Sequence, residues 1–357
     1  MKNKFWDTLL FNVGAVVVGL IISACMLFFL KVNPLAVFGE AFVRIVTDPY
    51  TMGEVLVKST PLMFTALAFA FTYKANLFNI GAQGQFYAGA IVAVALSLQL
   101  GGVLPTGLLI LLVMVCTFLA GGVVGALIGF AKARFQANEF LVSMMSTYVV
   151  SAVMDYLLRT SLREAKGEYL QTDAISPAAY LPGILPGTRV HLGFLLAVAA
   201  AVLIWLLLYK TPLGFRIRAV GSNANAAELA GIRSKRVFVI AFAISGGLAG
   251  MAGLTEVNGV QHMLLQNFNS SIGSFGIGIA ILANGNPIGV IFAALLFGFL
   301  NVMGNIMGRI PGLNIPSSII DLIEGIVMIC VIISYFLRRY MENNQEKKQL
   351  RKAGAQG

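Results

Sequence analysis

The chain of 357 residues is 58% hydrophobic and 11% charged, with a formal net charge of +10. That composition excludes a soluble globular domain and indicates a polytopic membrane protein. The basic balance does not indicate nucleic-acid binding: 17 of the 25 Lys and Arg fall in segments that the topology below places inside, and no basic stretch is interleaved with aromatics. Cys25, Cys116 and Cys330 all sit within apolar runs, which favours small buried residues over a disulfide or a metal site.

In chain order, ten membrane segments are predicted. The first, over 9–30, follows a short basic start; it is about membrane length and lacks a small-residue cleavage site, so it reads as a retained span. An outer segment, 31–54, contains PLAVFGEAFVRIV, whose helical periodicity predicts a helix along the outer surface. Further spans are predicted over 55–73, 80–98, 105–131 and 139–157. The longest outer loop, 158–190, is rich in charge, Pro and Gly and faces any external partner. Spans over 192–209 and 237–254 flank a basic island, and segments over 271–282, 287–307 and 317–337 complete the set. The 271–282 segment is too short to cross about 30 Å of hydrocarbon as a regular helix. The polar, basic tail 338–357 stays inside and is expected to be partly disordered. Ten spans place both termini in the cytoplasm, and 1–337 forms one transmembrane domain.

The island, 213–236, reads LGFRIRAVGSNANAAELAGIRSKR. Its Arg216, Arg218, Arg233, Lys235 and Arg236 set it inside. It carries a short helix signal: Asn223 or Asn225 caps, Ala226, Ala227, Glu228, Leu229 and Ala230 favour helix, and Gly231 ends it. With small residues outward, such a helix is a docking surface for a soluble partner.

The halves look related. LFNIGAQGQFYAGAIVAVAL opens with Asn79-Ile80-Gly81, and NSSIGSFGIGIAIL carries Ser271-Ile272-Gly273 at the matching place. The first is expected to start at the inner face and the second at the outer, so spans 2–5 and 7–10 form an inverted repeat; Gly-interrupted short segments at matching points of two halves point to a translocation path. Gly121-xxx-Gly125-xxx-Gly129, Gly246-xxx-Gly250 and Gly304-xxx-Gly308 let helices approach closely.

Polar side chains in apolar surroundings are the candidate site. One cluster is Asn76, Asn79, Gln83 and Gln85, flanked by Phe78, Phe86 and Tyr87; the other is Asn284 and Asn286, before Pro287. Uncharged amides suit a neutral hydroxylated solute, and neighbouring rings offer a face to a sugar or base. The other reading, that these amides satisfy the backbone of broken helices, stands beside it. Asp155, Glu256, Asp321 and Glu324 read as interfacial anchors at the outer ends, and His191 and His262 fall there too. No nucleophile–base pair, metal-ligand spacing or G-x-x-x-x-G-K-[ST] loop occurs, so this chain cannot hydrolyse ATP alone.

Three stretches carry a family resemblance. TYKANLFNIGAQGQFYAGA, PLGFRIRAVGSNANAAELAGI and GIAILANGNPIGVIFAALLFGFL resemble the signature, the cytoplasmic coupling segment and the third block of permease subunits of bacterial ATP-binding-cassette importers. The branch is the one serving branched-chain amino acids, ribose-type sugars and nucleosides, and LVKSTPLMFTALAFAFTYKANLFNIGAQGQ looks most like its nucleoside permeases. Sugar permeases of the group tend to have Asp-Leu-Ser where this chain has Ala82-Gln83-Gly84.

The resemblance implies a non-enzymatic, multi-pass subunit of the bacterial inner membrane that moves a small polar solute inward. It implies a cytoplasmic ATP-binding subunit that holds the ATP, a second permease subunit, identical or related, and an extracytoplasmic binding lipoprotein or periplasmic protein. Gly221, Asn223, Ala226, Ala227, Glu228, Gly231 and Ile232 are the implied ATPase-coupling residues. Phe78, Asn79, Gln83, Gln85, Phe86, Asn284 and Asn286 are the candidate substrate pathway. An ion-coupled secondary transporter is the rival class, opposed by the capped basic island and the shortage of deep carboxylates.

Overall fold

The computed structural model describes residues 2–29, 32–165, 167, 169–310 and 317–354. Among these the protein is all-helical, and its only β contacts are isolated bridges between Gln171 and Leu265 and between Gly183 and His191. The chain divides into two compact units, Met1–Ile45 with Met303–Gly357, and Val46–Val302.

In the first unit, α1 (Lys2–Phe29) packs on α13 (Ser317–Gly354). Gly19 lies so close to α13 that a Cβ there would stand 2.8 Å from Val327 Cα, and Ser334 Oγ donates to the Phe11 carbonyl at 3.1 Å. The helix α13 runs on to Gly354 instead of ending near residue 337, because MENNQEKKQLRKAG is made of strong helix formers. The helix expected from the periodicity of PLAVFGEAFVRIV is present as α2 (Pro34–Thr47).

The second unit holds α3 (Pro49–Tyr73), α4 (Ala82–Leu100), α5 (Thr106–Phe135), α6 (Glu139–Arg159), α7 (Gly193–Lys210), α8 (Pro212–Ser222), α9 (Ala224–Leu229), α10 (Ser234–Glu256) and α11 (Ile272–Leu282), with most of α12 (Pro287–Met307). A turn of π-helix, Val257–Gln261, extends α10. Among the described residues, six helices are long and apolar enough to cross a membrane: α3, α5, α6, α7, α10 with its extension, and α12; Gly14–Phe28 and α11 are shorter apolar helices. Leu111, Val115, Leu119, Val123 and Leu127 form an exposed i, i+4 stripe on α5, and α6 exposes Leu141, Met145, Tyr148 and Val149. Such apolar faces are stable toward lipid and not toward water.

Buried α3 and α10 lie at the centre, with α10 packed on α3, α4 and α5. The α5–α10 contact is backbone on backbone. A Cβ on Gly121 would run into the Gly246 carbonyl oxygen, one on Gly125 into that of Phe242, and one on Gly129 would stand 2.8 Å from Val239 Cα. The Gly-xxx-Gly spacing read from the sequence thus makes this seam.

Outside the bundle, residues 160–192 fold over the end of α10. Thr172 N donates to the Leu264 carbonyl at 3.0 Å, Ile175 N to that of His262 at 2.9 Å, and buried Asn258 Nδ2 reaches Ser97 Oγ at 2.8 Å. Arg189 and Glu54 form a two-bond ion pair, and the His262 ring stacks on Tyr180 at 3.7 Å. His191 is 3% exposed, and its Nδ1 accepts from Gly193 N at 3.2 Å. Burial first, then the neighbouring His262, push its pKa down to about 4.

Two outcomes follow from this packing. Gly125→Val forces the seam apart and is expected to cost about 1–3 kcal/mol, seen as a lower melting temperature in detergent. Gly102→Ala, with nothing within 4 Å of its Cβ, is the control and should melt as the parent does. For His191 the unfolded chain takes up a proton near pH 6.5 whereas the folded site resists until about pH 4. Stability contributed by the neutral ring is therefore complete above pH 6.5 and lost as pH falls toward 4; His191→Gln should flatten that part of a melting-temperature profile.

Candidate functional site

Two irregular segments converge beside the middle of α3. Beyond Tyr73 the chain turns with Asn76 in the left-handed region (φ 55°), and residues 74–81 climb back along the bundle. Asn79 Nδ2 donates to Gln85 Oε1 at 2.7 Å and to Ser245 Oγ at 2.8 Å, and Ser245 Oγ donates to the Ala68 carbonyl at 2.6 Å. Gln85 Nε2 returns a bond to Asn79 Oδ1 at 3.2 Å, which also accepts from Gly81 N at 3.1 Å. Asn79, Gln85 and Ser245 are fully buried, so this network closes the gap between α3, α4 and α10 with its polar atoms engaged.

The second segment, 262–271, comes from the other side. Asn267 and Asn269 adopt left-handed backbone (φ 54° and 47°). Gln83 holds both of its ends: Nε2 donates to the Asn269 carbonyl at 3.0 Å, and Oε1 accepts from Gly273 N at 2.7 Å. Tyr87 Oη donates to the Phe268 carbonyl at 3.3 Å, and Thr65 Oγ1 to that of Ile272 at 3.3 Å. The first turns of α4 and α11 therefore abut, a Cβ on Gly273 standing 2.5 Å from Gln83 N. The helix α11 begins at the level of Thr65, well inside the 25-residue α3, where side chains from α3 and α4 satisfy the backbone that leads there.

Rings close this region. Phe86, fully buried, packs on Phe268 and Tyr87 (centroids 5.1 and 5.5 Å), and Phe78 lies against Phe69, Tyr73 and Phe140 at 6.1–6.3 Å.

Asn284 and Asn286 stand apart, at the far end of α11 about 16 Å away by helical rise. Asn284 (φ 55°) and Gly285 (φ 63°) terminate α11, with Gly285 N donating to the Ala280 carbonyl at 2.9 Å. Asn286 Oδ1 accepts from Ile288 N at 3.1 Å and Pro287 opens α12, an arrangement suited to a helix start. Both asparagines are exposed. The sequence reading missed Ser245 and Thr65, since a hydroxyl in an apolar helix ordinarily bonds its own preceding turn. It also placed Glu256 at a hydrated outer end, whereas Glu256 is 2% exposed and accepts from Gln261 Nε2 at 3.2 Å.

The basic island folds as two helices. Thr211 Oγ1 caps α8 by accepting from Gly214 N at 3.2 Å, with Pro212 at the first position. Asn223 Oδ1 caps α9 by accepting from Ala226 N at 3.0 Å, and Gly231 (φ 83°) ends it, Ile232 N donating to the Ala227 carbonyl at 2.9 Å. Ala227 faces inward, while Ala226, Glu228 and Leu229 face out. Leu229 is 93% exposed and Phe215 61%, two large apolar side chains among Arg216, Arg233, Lys235 and Arg236. Glu228, Gly231, Ile232 and Arg233 line a groove beside them. Gly221 is pressed on the Lys74–Ala75 turn at the end of α3.

The amide network generates its own test. Asn79→Ala and Gln85→Ala each leave a buried partner unpaired, at a cost of about 1–3 kcal/mol. The double variant should cost less than the sum, measured as melting temperatures in a double-mutant cycle. Additive losses would separate the two amides.

Comparison with known proteins agrees with this architecture. The permease component of branched-chain amino acid transport systems matches residues 51–332. The chain is 32% identical to a glucose ABC transporter permease protein of Haloferax volcanii over 91% of this chain and 87% of that protein. It is 30% identical to a guanosine ABC transporter permease protein of Bacillus subtilis, over 93% and 95% respectively. It is also 28% identical to a nucleoside ABC transporter permease protein of Lactococcus lactis, over 94% of each. A family match over most of its length, on a bundle of apolar helices, identifies the chain as a multi-pass membrane protein that belongs to the permease components of branched-chain amino acid transport systems.

Proposed function

We propose that this chain is a permease subunit of an ABC importer in the bacterial inner membrane, that nucleosides are its solute, and that a separate subunit supplies ATP hydrolysis. The observation that carries the nucleoside reading is similarity to guanosine and nucleoside permeases along nearly the full length of both chains. The ten-span topology with both termini inside, and the inverted relation of spans 2–5 to 7–10, belong to the same reading. They draw support from α4 and α11, short helices that start side by side after irregular segments.

The solute path runs along the faces where α3, α4 and α11 meet, and a second permease subunit completes it. Gln83 and Phe78 stand at its wall, Asn79, Gln85 and Phe86 brace that wall from behind, and Asn284 and Asn286 shape its inner end. The cytoplasmic ATPase docks on α8 and α9, with Gly221, Asn223, Ala226, Ala227, Glu228, Gly231 and Ile232 shaping the contact and Leu229 and Phe215 entering it. An extracytoplasmic binding protein meets the 158–190 loop. Closure of the ATPase pair on ATP then shifts α8 and α9, and with them α7 and α10. A sugar is the second reading, favoured by the glucose permease relative.

Uptake of labelled guanosine, inosine and uridine by cells with and without the gene tests the solute, with excess glucose, ribose and leucine as competitors. Loss of ATP-dependent nucleoside uptake on deletion, resistant to all three competitors, is expected. Unchanged nucleoside uptake with lost glucose or ribose uptake would replace the solute. Leu229→Asp should keep the protein in the membrane and abolish both uptake and ATPase co-purification; normal uptake would contradict the docking face.

A further inference from the structure

One side chain at the inner end of the bundle touches both the cytoplasmic segment and the short helix α11. Lys74 follows the last residue of α3. Its carbonyl oxygen meets Gly221, the penultimate residue of α8, so closely that a Cβ there would overlap it, and the same Cβ would stand 3.0 Å from Ala75 Cα. Its side chain points the other way: Nζ lies 3.4 Å from the Asn284 carbonyl, and a Cβ on Gly285 would stand 3.2 Å from that nitrogen and 3.0 Å from Tyr73 Cδ1. The elbow between α11 and α12 therefore rests on Tyr73 and Lys74.

The electrostatics fit a cation held by helix ends. Lys74 lies at the C-terminus of α3, where its own N–H caps the Ala70 and Phe71 carbonyls, and its ammonium reaches the C-terminus of α11, so both negative helix ends fall on one charge. Among the described residues neither Lys74 nor Arg218 forms an ion pair with a carboxylate. Arg218, one turn before Ser222 on α8, lies over the Tyr209 ring at 5.2 Å, and its buried Nε has no partner. Burial, then the Arg218 guanidinium, lower the Lys74 pKa from its ordinary value. A like-charged neighbour on a helix expected to move makes the hold on Asn284 sensitive to where α8 stands.

We infer that Lys74 is the positioning residue through which movement of the α8–α9 segment reaches the α11–α12 elbow and hence the start of α11 beside Gln83. This rests on the importer reading above. The relay has three contacts: Gly221 against the Lys74 backbone, Lys74 Nζ against Asn284, and α11 from Asn284 back to Gly273 and Gln83. Loss of the ammonium should leave assembly intact while separating ATP hydrolysis from solute movement.

The test uses the whole transporter, co-purified with its ATPase subunits and reconstituted in liposomes with its binding protein. Solute moved per ATP hydrolysed is the readout. Lys74→Met is expected to assemble in parental amounts but to lower that ratio by about tenfold or more, the scale of one charge-assisted contact. Lys74→Arg, which keeps the charge, should recover most of it. A parental ratio for Lys74→Met would overturn the inference, as would loss of uptake in strict proportion to lost complex. A parental transporter that moves solute without ATP hydrolysis would overturn the importer reading itself, and this relay with it.

Discussion

Backbone that leaves the helical path inside a membrane must find its hydrogen bonds in protein, because hydrocarbon offers none, and each unmet group costs several kcal/mol. Gln83 answers that constraint for two elements at once. A single amide accepts from the first N–H groups of α11 through Gly273 and donates to the Asn269 carbonyl just before it, while belonging to the first turn of α4. The Asn79–Gln85–Ser245 network does the same work for 74–81. These side chains engage both irregular segments at the place where α4 and α11 begin side by side.

The rest of the second unit serves that meeting point. Tight glycine contact between α5 and α10 brings Ser245 within reach of Asn79 and Ala68. Residues 169–192 hold the C-terminal end of α10 and the start of the 262–271 segment. At the opposite end, α8 meets the turn that begins 74–81. One central helix, α10, thus follows directly from α8 and α9 and supports the network through Ser245.

Much of this was legible in the sequence. Apolar run lengths located the six helices long and apolar enough to span among the described residues, Asn223 and Gly231 marked the ends of α9, and the glycine spacing on α5 announced a close helix contact. The amides around Asn79 stood out because polar groups are rare in apolar runs. What the residues alone left open was whether those amides line a path or hold the fold: that depends on partners more than 160 residues away, such as Ser245, which local patterning does not encode. Which residue of α3 the start of α11 meets was hidden for the same reason. A non-helical approach is invisible to hydropathy when its backbone is satisfied by a glutamine from another helix. The inward turn of Ala227 and outward turn of Leu229 likewise follow from how a two-turn helix sits on α8 and α10.

The meeting of α4 and α11 is the claim on which the path, the repeat and the relay all depend. The direct measurement is oxidative cross-linking of Gln83→Cys with Gly273→Cys in native membranes, after replacing Cys25, Cys116 and Cys330, with free thiols counted by a mass-shifting maleimide. A Cβ on Gly273 would stand 2.7 Å from Gln83 Cβ, and a disulfide needs about 3.5–4.5 Å, so a small relaxation suffices. Rapid loss of both thiols, with neither single variant reacting, is the expected result. Two thiols that stay free under oxidation while remaining open to the maleimide would contradict the arrangement.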